Sequence, residues 1–332
     1  METGADSITR KNEHHTSGEL TIWNHVDHAL ARFGVRRNRH RVDPGLYTLR
    51  SPTENSPVFV SANYTLSFDA LRVALQGMDA FLLVLDTKGI NVWCAAGKGT
   101  FGTEEIVNKI EETGLANRIG HRSLIVPQLG APGVAAHEVK ERSGFRIEYG
   151  PVRAEDIPEY LKTGKATPEM RKVEFKTRAR AVLIPVEAIH ILLPIALLNV
   201  ILMITGVINR FYNFAFAGFL AGVVLFPMLM PVIPTKDFSS KGFVIGAIAA
   251  LPIIIQDIIL SDGTAWYTLA GAIIGSLLLV STISAYISLN FTGSSTFTSR
   301  TGVKREMFRY IPIMALALGI GLVLYIVLPI FA

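Results

Sequence analysis

The hydrophobic positions of this chain divide it into two unlike halves. Up to about residue 181, short apolar runs alternate with charged and polar stretches, which is typical of a soluble domain. From Val182 onward, long apolar runs are separated by short loops. A helix needs about 20 largely apolar residues to cross a bilayer. Five runs approach that length and predict an all-α transmembrane domain of five helices, over residues 183–204, 214–233, 243–260, 266–289 and 311–331.

Strand and helix patterns alternate in the first half. Strands are predicted where short apolar runs occur, at residues 57–62, 80–86, 123–127 and 145–151. Amphipathic stretches at 67–78, 103–114 and 134–144 predict helices, the first two with Ser67 and Thr103 as N-caps. The run at 80–86 is apolar throughout, which favours a buried parallel strand. The predicted class is therefore α/β, with a mostly parallel, Rossmann-like sheet.

The pattern predicts four segments: a polar, flexible segment 1–43, an α/β domain 44–165, a basic linker 166–181 and a transmembrane domain 182–332. Ordered structure is expected to begin near Pro44. Within the first segment, residues 23–33 have the spacing of an amphipathic helix, and the scattered histidines are expected to be solvated. Four of its arginines, Arg36, Arg37, Arg39 and Arg41, would meet anionic lipid or phosphate.

The net charge of +5 indicates topology and not nucleic-acid binding. Positive charge is concentrated before the first apolar run and between the fourth and fifth, which predicts a cytoplasmic N-terminal domain and an outside C-terminus in the inner (cytoplasmic) membrane. The polar N-terminus has no signal-peptide core, in keeping with that orientation. Glu187, His190 and Asp257 lie near the ends of apolar runs, where they serve either a metal-ion or proton site or simple contact with water.

Gly97, Gly99 and Gly102 form a G-x-G-x-x-G loop between a predicted strand and helix, a pattern that lets backbone approach a phosphate. A dinucleotide site also needs an acidic residue at the end of the next strand, but that strand ends at Pro127. A nucleoside-triphosphate loop would need glycine where Val92 stands. The glycines therefore indicate close approach of a ligand without identifying it.

Cys94 is the single cysteine of the chain. One thiol excludes an intrachain disulfide, a Cys-ligated iron–sulfur cluster and a Cys₄ zinc site. A lone cysteine is most often a small buried hydrophobe. Here, however, Lys98 and a predicted helix N-terminus favour the thiolate, and the small Ala95 and Ala96 would let a large flat ligand lie against the backbone.

Residues 91–99, N-V-W-C-A-A-G-K-G, closely resemble the signature of the membrane corrinoid proteins of microbial mercury methylation. The segments VSANYTLSFDALR, VPQLGAPGVAAHEV and GPVRAEDIP are also similar to the corrinoid domain of the large subunit of the corrinoid iron–sulfur protein of acetyl-CoA synthesis. This resemblance covers roughly residues 44–165, which it identifies as a corrinoid-binding domain.

The resemblance implies a cobalamin-type corrinoid, bound base-off, with Cys94 as the lower axial ligand of cobalt and the catalytic residue. Gly130, Ala131, Pro132 and Gly133 would receive the detached nucleotide tail. The implied cofactor-binding residues are Ser61, Asn91, Val92, Trp93, Cys94, Ala95, Ala96, Gly97, Lys98, Gly99, Gly130, Pro132 and Gly133. Trp93 could instead only pack under the sheet, and Lys98 could be a solvated charge.

The implied activity is methyl transfer from a Co(III)-methyl cofactor to Hg(II), giving methylmercury. A soft thiolate opposite the methyl group favours its departure as a carbanion. Because the chain has no iron–sulfur cluster of its own, the resemblance implies a ferredoxin-like electron donor, with methyl groups supplied by the methyltetrahydrofolate pathway. Two alternatives stay open: a membrane corrinoid methyl carrier for another acceptor, and a membrane sensor or transporter with a cofactor-binding cytoplasmic domain.

Overall fold

The chain folds into two compact units, Met1–Val173 and Glu174–Ala332. The boundary between them lies within the predicted linker at 166–181. The structure, a computed structural model, describes residues 13–36, 39–189, 191, 192, 194, 197, 208–294 and 300–327.

A six-stranded mixed sheet forms the centre of the first unit. Its strands are β1 (Glu13–Thr16), β2 (Gly45–Leu49), β3 (Val58–Ala62), β4 (Ala80–Leu85), β5 (Ser123–Val126) and β6 (Arg146–Tyr149). They lie in the order β1-β2-β4-β3-β5-β6. All neighbouring pairs are parallel except β2 with β4, which is antiparallel. The predicted α/β class and its mostly parallel sheet are therefore confirmed.

The sheet is buried on both faces, and its strands alternate between two apolar layers. Val58 and Val60 of β3 point into one layer, whereas Phe59 points into the other, as the two-residue period of a strand requires. All residues of β2, β3 and β4 are buried. This two-sided burial explains why β4 is apolar at every position.

Helices cover both layers of the sheet. They are α1 (Ile22–Arg32), α2 (Thr65–Ala74), α3 (Val92–Lys98), α4 (Thr103–Glu112), α5 (Ala136–Ser143) and α6 (Ile157–Thr163), with 3₁₀ turns at Leu115–Asn117, Gln128–Gly133 and Ala154–Asp156. The helices predicted at 67–78, 103–114 and 134–144 correspond to α2, α4 and α5.

The predicted N-caps of α2 and α4 are wrong. Ser67 already lies in the first turn of α2, because its backbone N–H donates to the carbonyl of Tyr64, the residue at the N-cap. The N-cap of α4 is Gly102. The Thr103 hydroxyl instead accepts a hydrogen bond of 2.9 Å from the backbone N–H of Ala135, and so links α4 to the start of α5.

Regular structure begins N-terminal of Pro44. Residues 13–16 form β1, which pairs with β2, and the amphipathic helix predicted over 23–33 is confirmed as α1. These elements lie in the segment that the sequence pattern predicts to be flexible.

Buried ion pairs attach α1 to the domain. The Nε2 atom of His28 lies 2.6 Å from the carboxylate of Asp69, whose other oxygen is 2.6 Å from Nε of Arg72. His40 likewise contacts the carboxylate of Asp27 at 2.7 Å. The expectation of solvated histidines is therefore wrong for His28 and His40, because each is held by a carboxylate in the interior.

The second unit is helical. Its elements are α7 (Thr177–Ala181), a helical stretch at 184–189, α8 (Ile208–Phe219), α9 (Phe226–Leu229), α10 (Phe238–Ile259), α11 (Trp266–Ser294) and α12 (Arg300–Leu322). A π-helical segment, Leu220–Leu225, joins α8 to α9, and a second, Val323–Val327, follows α12.

Within the described residues, three helical segments are long and apolar enough to cross a membrane: Phe238–Ile259, Trp266–Thr292 and Thr301–Tyr325. They correspond to the third, fourth and fifth predicted spans. The predicted second span is a shorter apolar helix, Asn213–Leu229. It ends at Leu229, and Met230 and Pro231 follow in a turn.

Five spans are therefore not confirmed. Half of the first predicted span, including His190, lies outside the described residues, as do residues 328–331 of the fifth.

Glycines let the helices of this unit pack closely. A Cβ on Gly242 would lie 2.6 Å from the Cα of Ala285, and one on Gly246 would lie 2.6 Å from the Cα of Ser281. The two glycines are four residues apart on α10 and both face α11. Small residues with this spacing let helix backbones approach each other in membrane proteins.

Candidate functional site

A cavity of about 380 Å³ lies at the carboxyl edge of the parallel strands. Ligands of open α/β sheets bind at this edge. The cavity is mainly apolar, and its few polar lining residues include Ser61 of β3 and Asn91 at the start of α3. Val92 and Trp93 also line it, together with Pro127, which follows β5.

Residues 91–99 form a helix and its caps. The predicted glycine loop is confirmed only from Gly99 to Gly102, which joins α3 to α4, because Gly97 lies within α3. The side-chain oxygen of Asn91 accepts a hydrogen bond of 2.9 Å from the backbone N–H of Cys94, a typical N-cap. Gly99, with φ of 84°, ends the helix in the left-handed conformation that glycine adopts readily.

One face of α3 is open around the thiol. Cys94 is exposed. Asn91, Gly97 and Lys98 are exposed at the i−3, i+3 and i+4 positions, which share its helix face. A Cβ added to Gly97 would meet nothing within 4 Å. A flat ligand can therefore approach Cys94 across Gly97 without meeting a side chain there.

The opposite face of α3 is packed against the protein interior. Ala95 and Ala96 are buried there with Val92. A Cβ on Gly133 would lie only 2.2 Å from the carbonyl oxygen of Phe101 and 3.1 Å from the Cα of Ala96. The 3₁₀ turn Gln128–Gly133 therefore supports α3 from below by close backbone contact.

This packing accounts for both glycines of the turn. At Gly130, a Cβ would lie 2.5 Å from the ring of Phe101. Gly130 and Gly133 are thus needed for packing beneath α3, on the side away from the thiol, whereas Pro132 between them is exposed. Their predicted contact with a nucleotide tail stays a prediction.

A buried asparagine fixes the loop that leads from β4 into α3. Asn63 is 1% exposed. Its side-chain oxygen accepts hydrogen bonds from the backbone N–H groups of Thr87 at 3.1 Å and Gly89 at 3.0 Å. Lys88 and Gly89 are both in the left-handed region, with φ of 59° and 71°. The sequence analysis missed Asn63, although a polar residue directly after an apolar strand is a usable signal.

The backbone of Asn63 is held by residues that precede β2. Its carbonyl accepts a hydrogen bond of 2.9 Å from the N–H of Val42, and the carbonyl of His40 accepts one of 3.1 Å from the N–H of Thr65. Residues 40–42 therefore pair with residues 63–65. The N-terminal segment thus supports the end of β3 beside the site.

Asp86 and Lys88 form an ion pair in the same loop. Partial burial alone would raise the pKa of Asp86, but hydrogen bonds from the ammonium and backbone N–H of Lys88 outweigh it and hold that pKa below its ordinary value. The backbone N–H of Asp86 donates to Glu105 of α4 at 2.8 Å. The loop is thereby tied to α4 on one side and to Asn63 on the other.

The structure gathers most of the sequence-predicted site residues around α3. Ser61, Asn91, Val92 and Trp93 line the cavity, while Cys94, Gly97, Lys98 and Gly99 are exposed on the same helix or at its end. Across the described parts of the chain, no group of three or more His, Cys, Asp or Glu side chains could hold a metal ion. The Nε2 atom of His121 lies 2.9 Å from the carbonyl oxygen of Ser56.

Residues 32–161 match the family model described as CO dehydrogenase/acetyl-CoA synthase delta subunit. The matched range contains the sheet strands β2 to β6, the helix α3 and the cavity.

Several curated proteins are also similar to part of this chain. The gamma subunits of the acetyl-CoA decarbonylase/synthase complex from Methanopyrus kandleri and Methanothermobacter thermautotrophicus are 34% and 35% identical over 127 residues, which is 38% of this chain and 27% of each relative. The corrinoid/iron-sulfur protein large subunit of Moorella thermoacetica is 26% identical over 150 residues, covering 42% of this chain and 33% of the relative. The chain therefore spans about a quarter to a third of the length of these relatives. The first unit of this chain is similar to part of the large subunit of a corrinoid/iron–sulfur protein and to part of subunits of acetyl-CoA complexes.

Proposed function

We propose that this chain is a membrane-bound, corrinoid-dependent methyltransferase that transfers a methyl group to Hg(II) and forms methylmercury. The observation that carries the proposal is the exposed thiol of Cys94 on the open face of α3, beside the cavity at the carboxyl edge of the sheet. The likeness to a corrinoid/iron–sulfur protein subunit supports the cofactor class. Three helices of membrane-crossing length support the location.

The residues around Cys94 fit a large, flat cofactor with an open metal coordination position. A thiolate is a strong, soft ligand for a transition metal, and Cys94 offers one donor on an accessible helix face. The missing side chain at Gly97 leaves room beside the sulfur. The adjacent apolar cavity, with Ser61 and Asn91 as polar groups, suits a group that carries both apolar and amide substituents.

In the proposed complex, the thiolate of Cys94 would hold the cobalt of the corrinoid. Asn91 fixes the first turn of α3 and so the position of the sulfur, while Ala95 and Ala96 anchor the helix in the core. When bound, the corrinoid supplies the cobalt that carries the methyl group, and thiolate donation favours transfer of that group as a carbanion to an electrophile such as Hg(II). Val92, Trp93, Lys98 and Gly99 complete the binding surface.

The remaining assignments follow from the same proposal. One cysteine cannot ligate an iron–sulfur cluster, so electrons would come from a separate ferredoxin-like iron–sulfur protein, and methyl groups from the methyltetrahydrofolate pathway. The first unit would lie in the cytoplasm and the C-terminus outside the inner membrane, in keeping with the distribution of positive charge.

A methyl carrier for another acceptor is the second candidate. It is favoured by the relatives, which are named as subunits of acetyl-CoA complexes. The two candidates share Cys94 and the corrinoid and differ only in the acceptor.

The test uses the full chain in detergent, loaded with methylated cobalamin, and measures the visible spectrum and the methylmercury formed with Hg(II). Cys94→Ala is expected to lose the thiolate–cobalt spectrum and the product, whereas the exposed His137→Ala, outside the site, keeps both. A Cys94→Ala spectrum identical to that of the native chain would refute axial ligation. Normal loading without methylmercury would favour the other acceptor class.

A further inference from the structure

Helix α1 is oriented with its polar face inward and its apolar face outward. On the inner face, His28 meets the buried carboxylate of Asp69 and Asp27 meets His40. A surface helix of a soluble domain normally has the opposite arrangement, with its apolar stripe toward the core. The inward face of α1 is thus bound through contacts between histidine and carboxylate side chains, and apolar burial by the protein plays little part.

The outward face of α1 is a continuous apolar stripe. Ile22 and Trp23 are each 80% exposed, and Val26, Leu30 and Phe33 are 42%, 39% and 40% exposed. Steps of three and four residues place these side chains on one side of the helix. Single exposed apolar residues are normal, but a contiguous exposed patch marks an interaction surface.

Positive charge borders this stripe. Arg32 ends the helix, and Arg36 and Arg39 follow it; all three are exposed. Basic residues near a membrane surface are attracted to anionic lipid by about 1 kcal/mol each. A helix that combines an apolar face, an aromatic residue and flanking basic residues has the composition of an interfacial helix.

The composition of the chain also favours a membrane over another protein as the occupant of this surface. The described part of the chain contains three helices of membrane-crossing length, so the first unit is tethered to a bilayer. A tethered helix needs little intrinsic affinity, because its effective concentration at the surface is high.

We propose that α1 inserts its apolar face, centred on Trp23, Val26 and Leu30, into the interface of an anionic bilayer, with Arg32, Arg36 and Arg39 at the lipid headgroups. Because the buried His28–Asp69 and Asp27–His40 contacts fix α1 to the domain, its insertion holds the whole first unit at the membrane surface. The inference does not depend on the corrinoid or on Cys94.

The test places an environment-sensitive fluorophore on the full chain in reconstituted vesicles. In a Cys94→Ser background, Val26→Cys puts the label on the stripe, and His137→Cys puts it on an exposed position of α5 as the matched control. Vesicles of phosphatidylcholine with phosphatidylglycerol, containing shallow spin-labelled lipid, are compared with pure phosphatidylcholine. We expect the label at position 26 to emit at shorter wavelength and to lose most of its fluorescence to the lipid quencher, more strongly with phosphatidylglycerol. The control label stays unquenched.

Charge reversal gives an independent measurement. Replacing Arg32, Arg36 and Arg39 by Glu is expected to reduce quenching at position 26 in anionic vesicles and to leave the control label unchanged. A label at position 26 that stays in water would overturn the proposal. A label that is shielded but not quenched by lipid would also overturn it, since it would indicate a protein occupant.

Discussion

Gly97 separates the requirements of folding from those of cofactor binding. It lies within α3 on the face of Cys94, and a Cβ there would meet nothing within 4 Å. Because glycine destabilises a helix interior relative to alanine, Gly97→Ala should stabilise the protein by roughly 0.5–1 kcal/mol. The added methyl group, however, would stand beside the sulfur and weaken corrinoid binding. Thermal unfolding of the corrinoid-free chain and absorbance of retained corrinoid measure the two effects.

Gly133→Ala is the matched control, since its methyl group would lie 2.2 Å from the carbonyl of Phe101. It should destabilise the protein directly. If Gly97→Ala bound corrinoid as tightly as the native chain, the cofactor would not approach α3 over this face.

Asn63 stabilises the loop between β4 and α3 through hydrogen bonds to its backbone. In Asn63→Ala, the backbone N–H of Gly89 would lose its acceptor, and an unsatisfied buried donor costs about 1–3 kcal/mol. The N–H of Thr87 would lose one of its two acceptors and keep the carbonyl of Leu85. We expect faster hydrogen exchange at the Gly89 amide and lower thermal stability. The exposed Asn55→Ala should change neither. Unchanged exchange at Gly89 would mean that the loop is held by other contacts.

The interaction of Asp86 with Lys88 makes the stability of the protein depend on pH in the acid range. Its pKa in the folded protein lies below the ordinary value of 3.8. The carboxylate therefore contributes stability that is fully present above pH 3.8 and is lost as the pH falls through the lowered pKa. The difference in unfolding free energy between the native chain and Asp86→Asn should shrink over that range. Lys88→Met should move the loss to higher pH, and an unshifted profile would contradict the pairing.

At the scale of elements, the close contact between α10 and α11 depends on glycine. Gly246→Ala would place a Cβ 2.6 Å from the Cα of Ser281 and should cost about 1–3 kcal/mol through overpacking. Gly319→Ala on α12 is the control, because nothing lies within 4 Å of its Cβ. The midpoint of thermal unfolding in detergent should fall only for the first variant. Equal midpoints would show that α10 and α11 pack less closely.

Elements with a strong apolar pattern were predictable, and those defined by capping or pairing were not. The strands β3 to β6 lie within one or two residues of their predicted bounds, because each contains buried apolar residues. The sequence pattern predicts no helix at α3, although Val92, Ala95 and Ala96 have helical spacing, because Gly97 and Gly99 interrupt so short a pattern. The strand β1 has the sequence Glu-His-His-Thr and no apolar signal; its pairing with β2 defines it.

The residues of the candidate site could be predicted only where they are neighbours in the sequence. Residues 91–99 were found from their own motif. The other walls of the cavity, such as Pro127 and Val152, come from segments that the strand order brings beside α3. Sequence spacing does not reveal that order, because β4 lies between β2 and β3 in the sheet.

At the scale of the whole molecule, the two compact units suggest that the first folds by itself. Residues 1–173 expressed alone should unfold cooperatively and bind corrinoid with the spectrum of the full chain. A shorter chain that begins at Pro44 should unfold at lower temperature, because Asn63 and Thr65 lose their hydrogen bonds to Val42 and His40. Circular dichroism measures the unfolding temperature of each chain, and absorbance measures the corrinoid that it binds. Equal stability would mean that the N-terminal segment is dispensable.

The exposure of Cys94 also sets an order of events for the proposed reaction. Hg(II) is a soft ion, and soft ions bind thiolates in preference to oxygen and nitrogen ligands. A chain that met Hg(II) before corrinoid would therefore capture the substrate on Cys94 and block the position that cobalt needs. Loading has to come first, after which the cofactor serves as a protecting group for the residue that holds it.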